Sequence, residues 1–284
     1  MAQISGLSTK IVLLGTGTPN ADPQRSGPAL AIIVKNQPYL FDFGPGVVRR
    51  AASAFEAGIP ELEPMNLDIA FLTHLHSDHT IGYPDLILTP WVLGRVEPLR
   101  VYGPKGTQKL TDFINQAYQA DVNFRLSGLE PANDTGYKVI VHEIENGIIF
   151  EDDKMQVTAF PARHGDWAAY GFCLQTSTSK IVISGDTAPN LECLMEFSPC
   201  DVLIHEVYSS KGLLNHPDEW QKYHKSMHTS GQELGEIASQ IRPKLLILYH
   251  QLLWGTSKSA LYTEIKETYR GEVIFGNDLD IFEI

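Results

Sequence analysis

Cysteine is scarce in this chain of 284 residues: there are three, Cys173, Cys193 and Cys200, and none stands in a Cys-x-x-Cys pair. A small odd number excludes a disulfide framework and suits a reducing compartment, with isolated core thiols expected even though Cys193 and Cys200 are close enough in sequence to pair. Long apolar runs are also missing. No stretch approaches the roughly 18 residues that span a bilayer, so no membrane partner is expected. Residues 1–10 lack the basic start and apolar stretch of a signal peptide, which points to a cytoplasmic location. Basic charge is short as well: 22 Lys and Arg stand against 34 Asp and Glu, a formal net charge of −12. Such a surface repels phosphate backbones, which argues against broad nucleic-acid binding. Low-complexity tracts and linkers are absent too.

What is present is ordinary globular material. Hydrophobic residues make up 43% and charged residues 20%, enough for a sizeable core. The length is near the upper limit for one core, so one large domain and two fused halves both fit; we take 1–284 as one domain. Short apolar runs at 10–14, 29–35, 39–43 and 69–73 read as strands, the middle two as a hairpin turning at Asn36-Gln37-Pro38. Strands are also expected at 139–150, 156–160, 170–174, 180–184, 201–205 and 244–250. Helices are expected at 46–57, stopped by Gly58 and Pro60, and at 107–120, 230–241 and 257–269. Strands followed by helices, mixed with consecutive strands, give an α/β class of sheets covered by helices. Four of the strands lead directly to His74, Asp186 (through Gly185), His205 and His250. Sites gather where strand ends meet loops, because the backbone there is rigid and side chains face a crevice.

The segment His74-Leu75-His76-Ser77-Asp78-His79 packs four potential metal ligands into six residues, in a chain with ten histidines overall. Alternation in extended backbone puts His74 and His76 on one side, and a turn after Ser77 can return Asp78 and His79 to the same point. Imidazole and carboxylate without thiolate suit zinc, manganese or iron. Further ligands should be His or Asp at strand ends. His164 in Pro161-Ala162-Arg163-His164-Gly165, Asp186 in Ser184-Gly185-Asp186-Thr187, and His250 after Leu245-Leu246-Ile247-Leu248-Tyr249 fit that description. Taken singly, each has a plainer reading: a loop histidine, a helix N-cap and a hydrogen-bonded core histidine.

In this order the elements resemble the metallo-β-lactamase superfamily, over about residues 10–280. The resemblance implies a four-layer αβ/βα sandwich of two similar halves and a site for two divalent metal ions. Zn2+ is the first expectation, with Mn2+ or Fe2+ as alternatives. It implies that His74, His76 and His164 hold one ion, that Asp78, His79 and His250 hold the other, and that Asp186 bridges them. Two ions about 3.5–4 Å apart share a water and lower its pKa toward neutrality. They also stabilise charge that develops on an ester oxygen, and Asp78 can accept a hydrogen bond from the nucleophile.

Ile204-His205-Glu206-Val207-Tyr208 and Met227-His228-Thr229-Ser230 resemble the His-Glu and His-Ser/Thr motifs of ribonuclease Z-like members, as does Leu14-Gly15-Thr16-Gly17-Thr18-Pro19. The resemblance implies that His228 donates a proton to the leaving oxygen and that Glu206 orients it. The plainer reading makes Glu206 a solvated strand-end acid and His228 a neighbour of a helix cap. His205 reads as a supporting hydrogen-bond partner of the metal-bound groups. His142, His216 and His224 read as surface or packing residues. Residues 213–225, with Trp220 and Tyr223, read as a loop bordering the site. Trp167 and Trp254 either line a substrate pocket or pack in the core.

One departure weighs on substrate. Ribonuclease Z typically inserts a tRNA-gripping arm between the residues matching His164 and Asp186, which here are 22 positions apart. The similarity is therefore to the arm-less, arylsulfatase-like and small phosphodiesterase relatives, toward which Phe41-Asp42-Phe43-Gly44-Pro45-Gly46 and Tyr249-His250-Gln251 also lean. A dinuclear metallo-hydrolase of a small anionic ester, an aryl sulfate or phosphodiester, is the leading expectation, with a homodimer implied by the same resemblance. The alternatives are a tRNA 3′ endonuclease, a lactone or β-lactam hydrolase, and a non-catalytic metal-binding module.

Overall fold

The computed structural model describes residues 9–284; residues 1–8, most of the segment read as lacking a signal peptide, lie outside the described residues. The described chain forms two compact units, one of residues 9–15, 19–144 and 278–283, the other of 16–18, 145–277 and 284. No helix among the described residues is long and apolar enough to cross a membrane.

The first unit is built on a seven-stranded sheet. Its strands are β1 (Thr9–Gly15), β2 (Ala29–Val34), β3 (Gln37–Phe41), β4 (Ile69–Phe71), β5 (Leu99–Gly103) and β6 (Val139–Glu143), with the segment Ile281–Glu283 beside β1. β1, β2 and β3 are antiparallel; β3 to β6 run parallel. The β2–β3 turn falls on Lys35 and Asn36, both at positive φ, so Val34 pairs Gln37. That is one residue before the predicted Asn36-Gln37-Pro38, because this type I′ turn needs both central residues left-handed and Pro38 cannot supply that. Alternate residues Val12 and Leu14, Ala29, Ala31 and Ile33 point into one core. The helices of this unit are α1 (Val47–Glu56), α2 (Ser77–Thr80), α3 (Tyr83–Val92), α4 (Thr107–Ala117) and α5 (Gln119–Ser127). Val47, Ala51 and Ala54 of α1, with Tyr83, Leu86 and Ile87 of α3, close that core.

The second unit carries β7 (Gly147–Glu151), β8 (Met155–Pro161), β9 (Tyr170–Thr176), β10 (Lys180–Ile183), β11 (Val202–Tyr208), β12 (Leu245–Leu252) and β13 (Glu272–Phe275) as its own seven-stranded sheet. The segment Ile281–Glu283 is β14. β7 to β10 pair antiparallel, β10 to β13 parallel. The helices are α6 (Leu191–Met195), α7 (Ser210–Leu213), α8 (Asp218–Met227), α9 (Gly231–Ile241) and α10 (Lys258–Lys266). Leu234, Ile237, Ala238 and Ile241 of α9 pack with Leu203, Leu246 and Leu248 of the sheet. Cys173, Cys193 and Cys200 are all free thiols, and burial pushes Cys173 and Cys200 up to about 12.

Several further expectations change. The strand expected over 139–150 is two, β6 and β7, separated by a turn with Gly147 at φ 118 and placed in different sheets. The helix over 107–120 breaks at Tyr118 into α4 and α5. The loop over 213–225 contains most of α8, whose first turn holds Asp218 and Glu219 and whose last holds Lys225, charges that favour both ends of the helix dipole. The strands over 201–205 and 244–250 do not stop at their histidines; β11 and β12 run on to Tyr208 and Leu252.

Candidate metal centre

In the first unit, β4 ends at Phe71 and the chain leaves the sheet carrying Thr73, His74 and His76 before Ser77 starts α2. One turn of helix presents Asp78 and His79. His74, Asp78 and His79 are buried and His76 is half-buried. The arrangement rests on Asp42, just past β3 and at φ 59. Its Oδ1 accepts from the Thr73 amide at 2.8 Å and the Thr73 hydroxyl at 2.9 Å, and its Oδ2 meets His79 Nδ1 at 2.8 Å. Thr73 Oγ1 also meets His74 Nδ1 at 2.9 Å. With both Nδ1 atoms held, Nε2 is the nitrogen each ring can offer a metal, and a carboxylate partner raises its basicity. Gly44 lies beneath this turn: a Cβ there would collide with the Asp78 carbonyl oxygen, so the residue after Phe43 must lack one. His79 Nε2 and Asp78 Oδ2 are 3.6 Å apart.

In the second unit, His164 follows β8, and its Nδ1 meets the Met227 carbonyl at 2.9 Å, which again leaves Nε2 for a ligand. Asp186 follows β10 after Gly185 at φ 60. His250 sits inside β12, where the pairing with β11 jumps from Glu206–Tyr249 to Val207–Gln251. It is therefore the extra residue of a β-bulge, at φ 43, and the bulge re-aims its side chain out of the alternation. Its Nε2 lies 3.5 Å from Asp186 Oδ2.

Glu206 is fully buried on β11 rather than solvated at a strand end. Its Oε1 accepts from the amides of Thr229 at 2.9 Å and Thr187 at 3.3 Å, while Oε2 faces His228 Nδ1 at 3.5 Å. Burial, then the Asp186 carboxylate, holds its carboxyl well above the ordinary range, against the opposing pull of His250 and the two amides. His228 is the residue after α8, and its ring lies 5.3 Å from that of His164 and 5.8 Å from that of His250, stacked on the latter at 15°. Ligating atoms of His164, Asp186 and His228 fall within 4.8 Å of one another, as do those of Glu206, His228 and His250. His205 is buried with Nδ1 2.6 Å from the Glu206 carbonyl, and burial pushes it down to about 4, so it stays neutral.

Each predicted site residue thus has a defined place. The first unit gathers His74, His76, Asp78 and His79; the second gathers His164, Asp186, Glu206, His228 and His250. Imidazole nitrogens and carboxylate oxygens, with Nδ1 of three imidazoles already held by the chain, fit divalent metal ions. Asp42 was missed as a functional residue. It stood in a quoted motif without a role, and its contacts lie 31 and 37 positions away in sequence.

Residues 38–251 match the family described as Beta-lactamase superfamily domain. The ribonuclease Z of Mycobacterium marinum is 28% identical over 97% of this chain and 98% of its own length. That of Mycobacterium sp. (strain KMS) is 29% identical over 86% of this chain and 84% of its own. Among solved structures, the metallo-beta-lactamase fold protein YhfI from Bacillus subtilis superposes with TM-score 0.75 at 17% identity, covering 98% of this chain and 99% of that one. The short form of human tRNase Z superposes with TM-score 0.69 at 22% identity, covering 96% and 98%. The chain belongs to the metallo-β-lactamase superfamily and has its fold, that of a hydrolase whose chemistry depends on divalent metal ions.

Proposed function

We propose that this chain is a dinuclear-metal phosphodiesterase of the ribonuclease Z type. The ligands are assigned as the superfamily pattern implies: His74, His76 and His164 for one ion, Asp78, His79 and His250 for the other, Asp186 for both. Zinc is the first choice of metal. Two ions held by such a set supply a water activated at neutral pH and offset charge on the ester oxygens.

The observation that carries the reading is the Glu206–His228 pair. The Thr187 and Thr229 amides fix Glu206 Oε1, which turns Oε2 toward His228 Nδ1. His228 Nε2 is then the atom that delivers a proton. Burial and the Asp186 carboxylate hold the Glu206 carboxyl above its ordinary range, and its second oxygen is set against the imidazole. The proton is released to an oxygen that gains negative charge as its ester bond breaks. Asp78 supplies the acceptor that orients the attacking water.

Ribonuclease Z relatives that match 98% of their own length against this chain support the RNA reading over the sulfatase one. That end-to-end match also removes the missing arm as a way of telling this chain from them. The net charge of −12 favours a second reading, small aryl diesters or sulfates, because it opposes contact with a long phosphate backbone. A hydrolysis panel on zinc- and manganese-loaded protein tests both, using precursor tRNA, bis-aryl phosphate, aryl sulfate and a lactone. Cleavage of the tRNA at one 3′ position is expected, strongest at low salt. Inactivity on the tRNA at low salt, with turnover of the aryl diester, would move the assignment to the small-ester reading. Inactivity on all four would end the catalytic reading.

A further inference from the structure

α8 carries Trp220, Tyr223, His224 and Met227 at i, i+3, i+4 and i+7, one face of a helix, and its next residue is His228. A stripe at that spacing is usually core. Only its last member, Met227, is buried here: Trp220 is 54% exposed and Tyr223 39%. His224 is the hub. Its ring lies 4.4 Å from Trp254, 5.1 Å from Tyr223, 5.7 Å from Trp220 at an interplanar angle of 26°, and 5.7 Å from His228. Its amide carbonyl accepts from the His228 amide at 2.8 Å.

Trp254 is held there at backbone cost. It stands at φ 46, where a bulky side chain is rare, and is followed by Gly255 at φ 84. Asn215 Nδ2 donates to its carbonyl at 3.2 Å, and His216 meets its ring edge-on at 4.9 Å. His224 Nδ1 is buried and makes no hydrogen bond. Burial first, then His228 and His216, holds this imidazole down at about 4, so it is uncharged at neutral pH. An exposed indole beside a neutral imidazole and a second indole is a surface for π-stacking. The three rings themselves carry no formal charge at neutral pH, so contact with them is through their faces.

We propose that Trp220 and His224, backed by Trp254, form a subsite that stacks a planar aromatic group of the ester, a nucleobase or a simple aryl ring, beside His228. The subsite rests on the reading of His228 as proton donor, because the link between the two is the 5.7 Å separation of the His224 and His228 rings. Every base and every aryl ring has a π face, so such a face selects flatness and tolerates sequence.

The test compares ligands of one size that differ in flatness. Zinc-loaded full-length protein is titrated with phenyl phosphate and with cyclohexyl phosphate, and binding is followed by calorimetry and tryptophan fluorescence. Phenyl phosphate should bind roughly tenfold tighter and quench fluorescence. Trp220→Ala should bring the two ligands within about twofold, and Trp220→Phe should restore most of the preference. Equal affinities in the unaltered protein, or a preference that survives Trp220→Ala, would overturn the subsite. Adenosine 5′-monophosphate against ribose 5-phosphate then names the source: a gain above that for phenyl assigns a nucleobase, a smaller one a simple aryl group. Binding needs no turnover. Aromatic preference without diester hydrolysis would keep the subsite and remove the phosphodiesterase reading, and hydrolysis without preference would do the reverse.

Discussion

One side-chain type does several jobs here, and what decides among them is the group that meets Nδ1. Thr73 holds that nitrogen in His74, Asp42 in His79 and the Met227 carbonyl in His164, which turns three imidazoles into candidate ligands through Nε2. In His228 it is Glu206 that faces Nδ1, and Nε2 is the atom proposed to deliver a proton. His228→Ala should keep fold and metal but lower kcat by about 10²–10³ with KM little changed. The loss should grow as the leaving group becomes more basic, from nitrophenol to a sugar hydroxyl. A uniform loss across leaving groups would assign His228 a structural role instead. His205 behaves differently. Its folded pKa of about 4 lies below the ordinary 6.5, so between those values the unfolded chain binds more protons than the folded one. Its effect is absent above pH 6.5, sets in as pH falls, and amounts to roughly 3 kcal/mol of lost stability below the folded value. Urea midpoints at pH 7.5 and 4.5 should therefore differ less in His205→Gln than in the unaltered protein. An identical drop in both would show that His205 does not titrate in this window.

Elements show why some of this was legible in sequence and some was not. The His74–His79 segment is local, so its chemistry could be read directly, and His164 and Asp186 stand where strands end. His250 was found for a reason that proved incomplete. The strand continues to Leu252, and a bulge, which leaves no mark in an apolar run, turns the side chain. α8 looks like a loop in sequence because its exposed side is polar and the aromatics of its other face, Trp220 and Tyr223, stay exposed. α3 was missed too; Pro84 opens it and Pro90 lies inside it. Its position depends on Arg95, which is 2% exposed and has a guanidinium that donates to the carbonyls of Leu67, Leu86, Ile87 and Gly136 at 2.7–3.2 Å. Burial brings this group down to about 10, still charged at neutral pH. It ties the end of α3 to the approach to β4 and to the turn before β6, links that no periodicity reveals. Arg95→Met would leave four buried carbonyls short of a donor, at a cost of about 3 kcal/mol or more. Denaturant unfolding should register that loss, and a change under about 1 kcal/mol would show that water replaces the guanidinium.

At the scale of the molecule, each unit carries its own group of metal-type donors. The first offers three histidines and Asp78, the second His164, Asp186 and His250. Asp78 and Asp186 are 6% and 2% exposed, and Glu206 is fully buried. Buried carboxylates of one sign are costly without compensating charge, and a net charge of −12 deepens the penalty. Bound cations would remove it, so metal affinity and stability should be linked. Because the unfolded chain holds no preformed donors, free ion at about 1,000 times its Kd should add about 4 kcal/mol of stability. For a chain of this size that amounts to a rise in Tm of several degrees. Chelator-treated protein should melt lower by that margin and recover on titration with zinc, saturating at two ions per chain by elemental analysis. Asp186→Asn should lower the affinity for both ions, since the proposed role of Asp186 is to bridge them, whereas His76→Ala should weaken one and spare the other. Saturation at a single ion would remove the bridging role. A melting temperature unmoved by chelation, with less than one ion bound, would remove the metal centre and the hydrolytic reading with it.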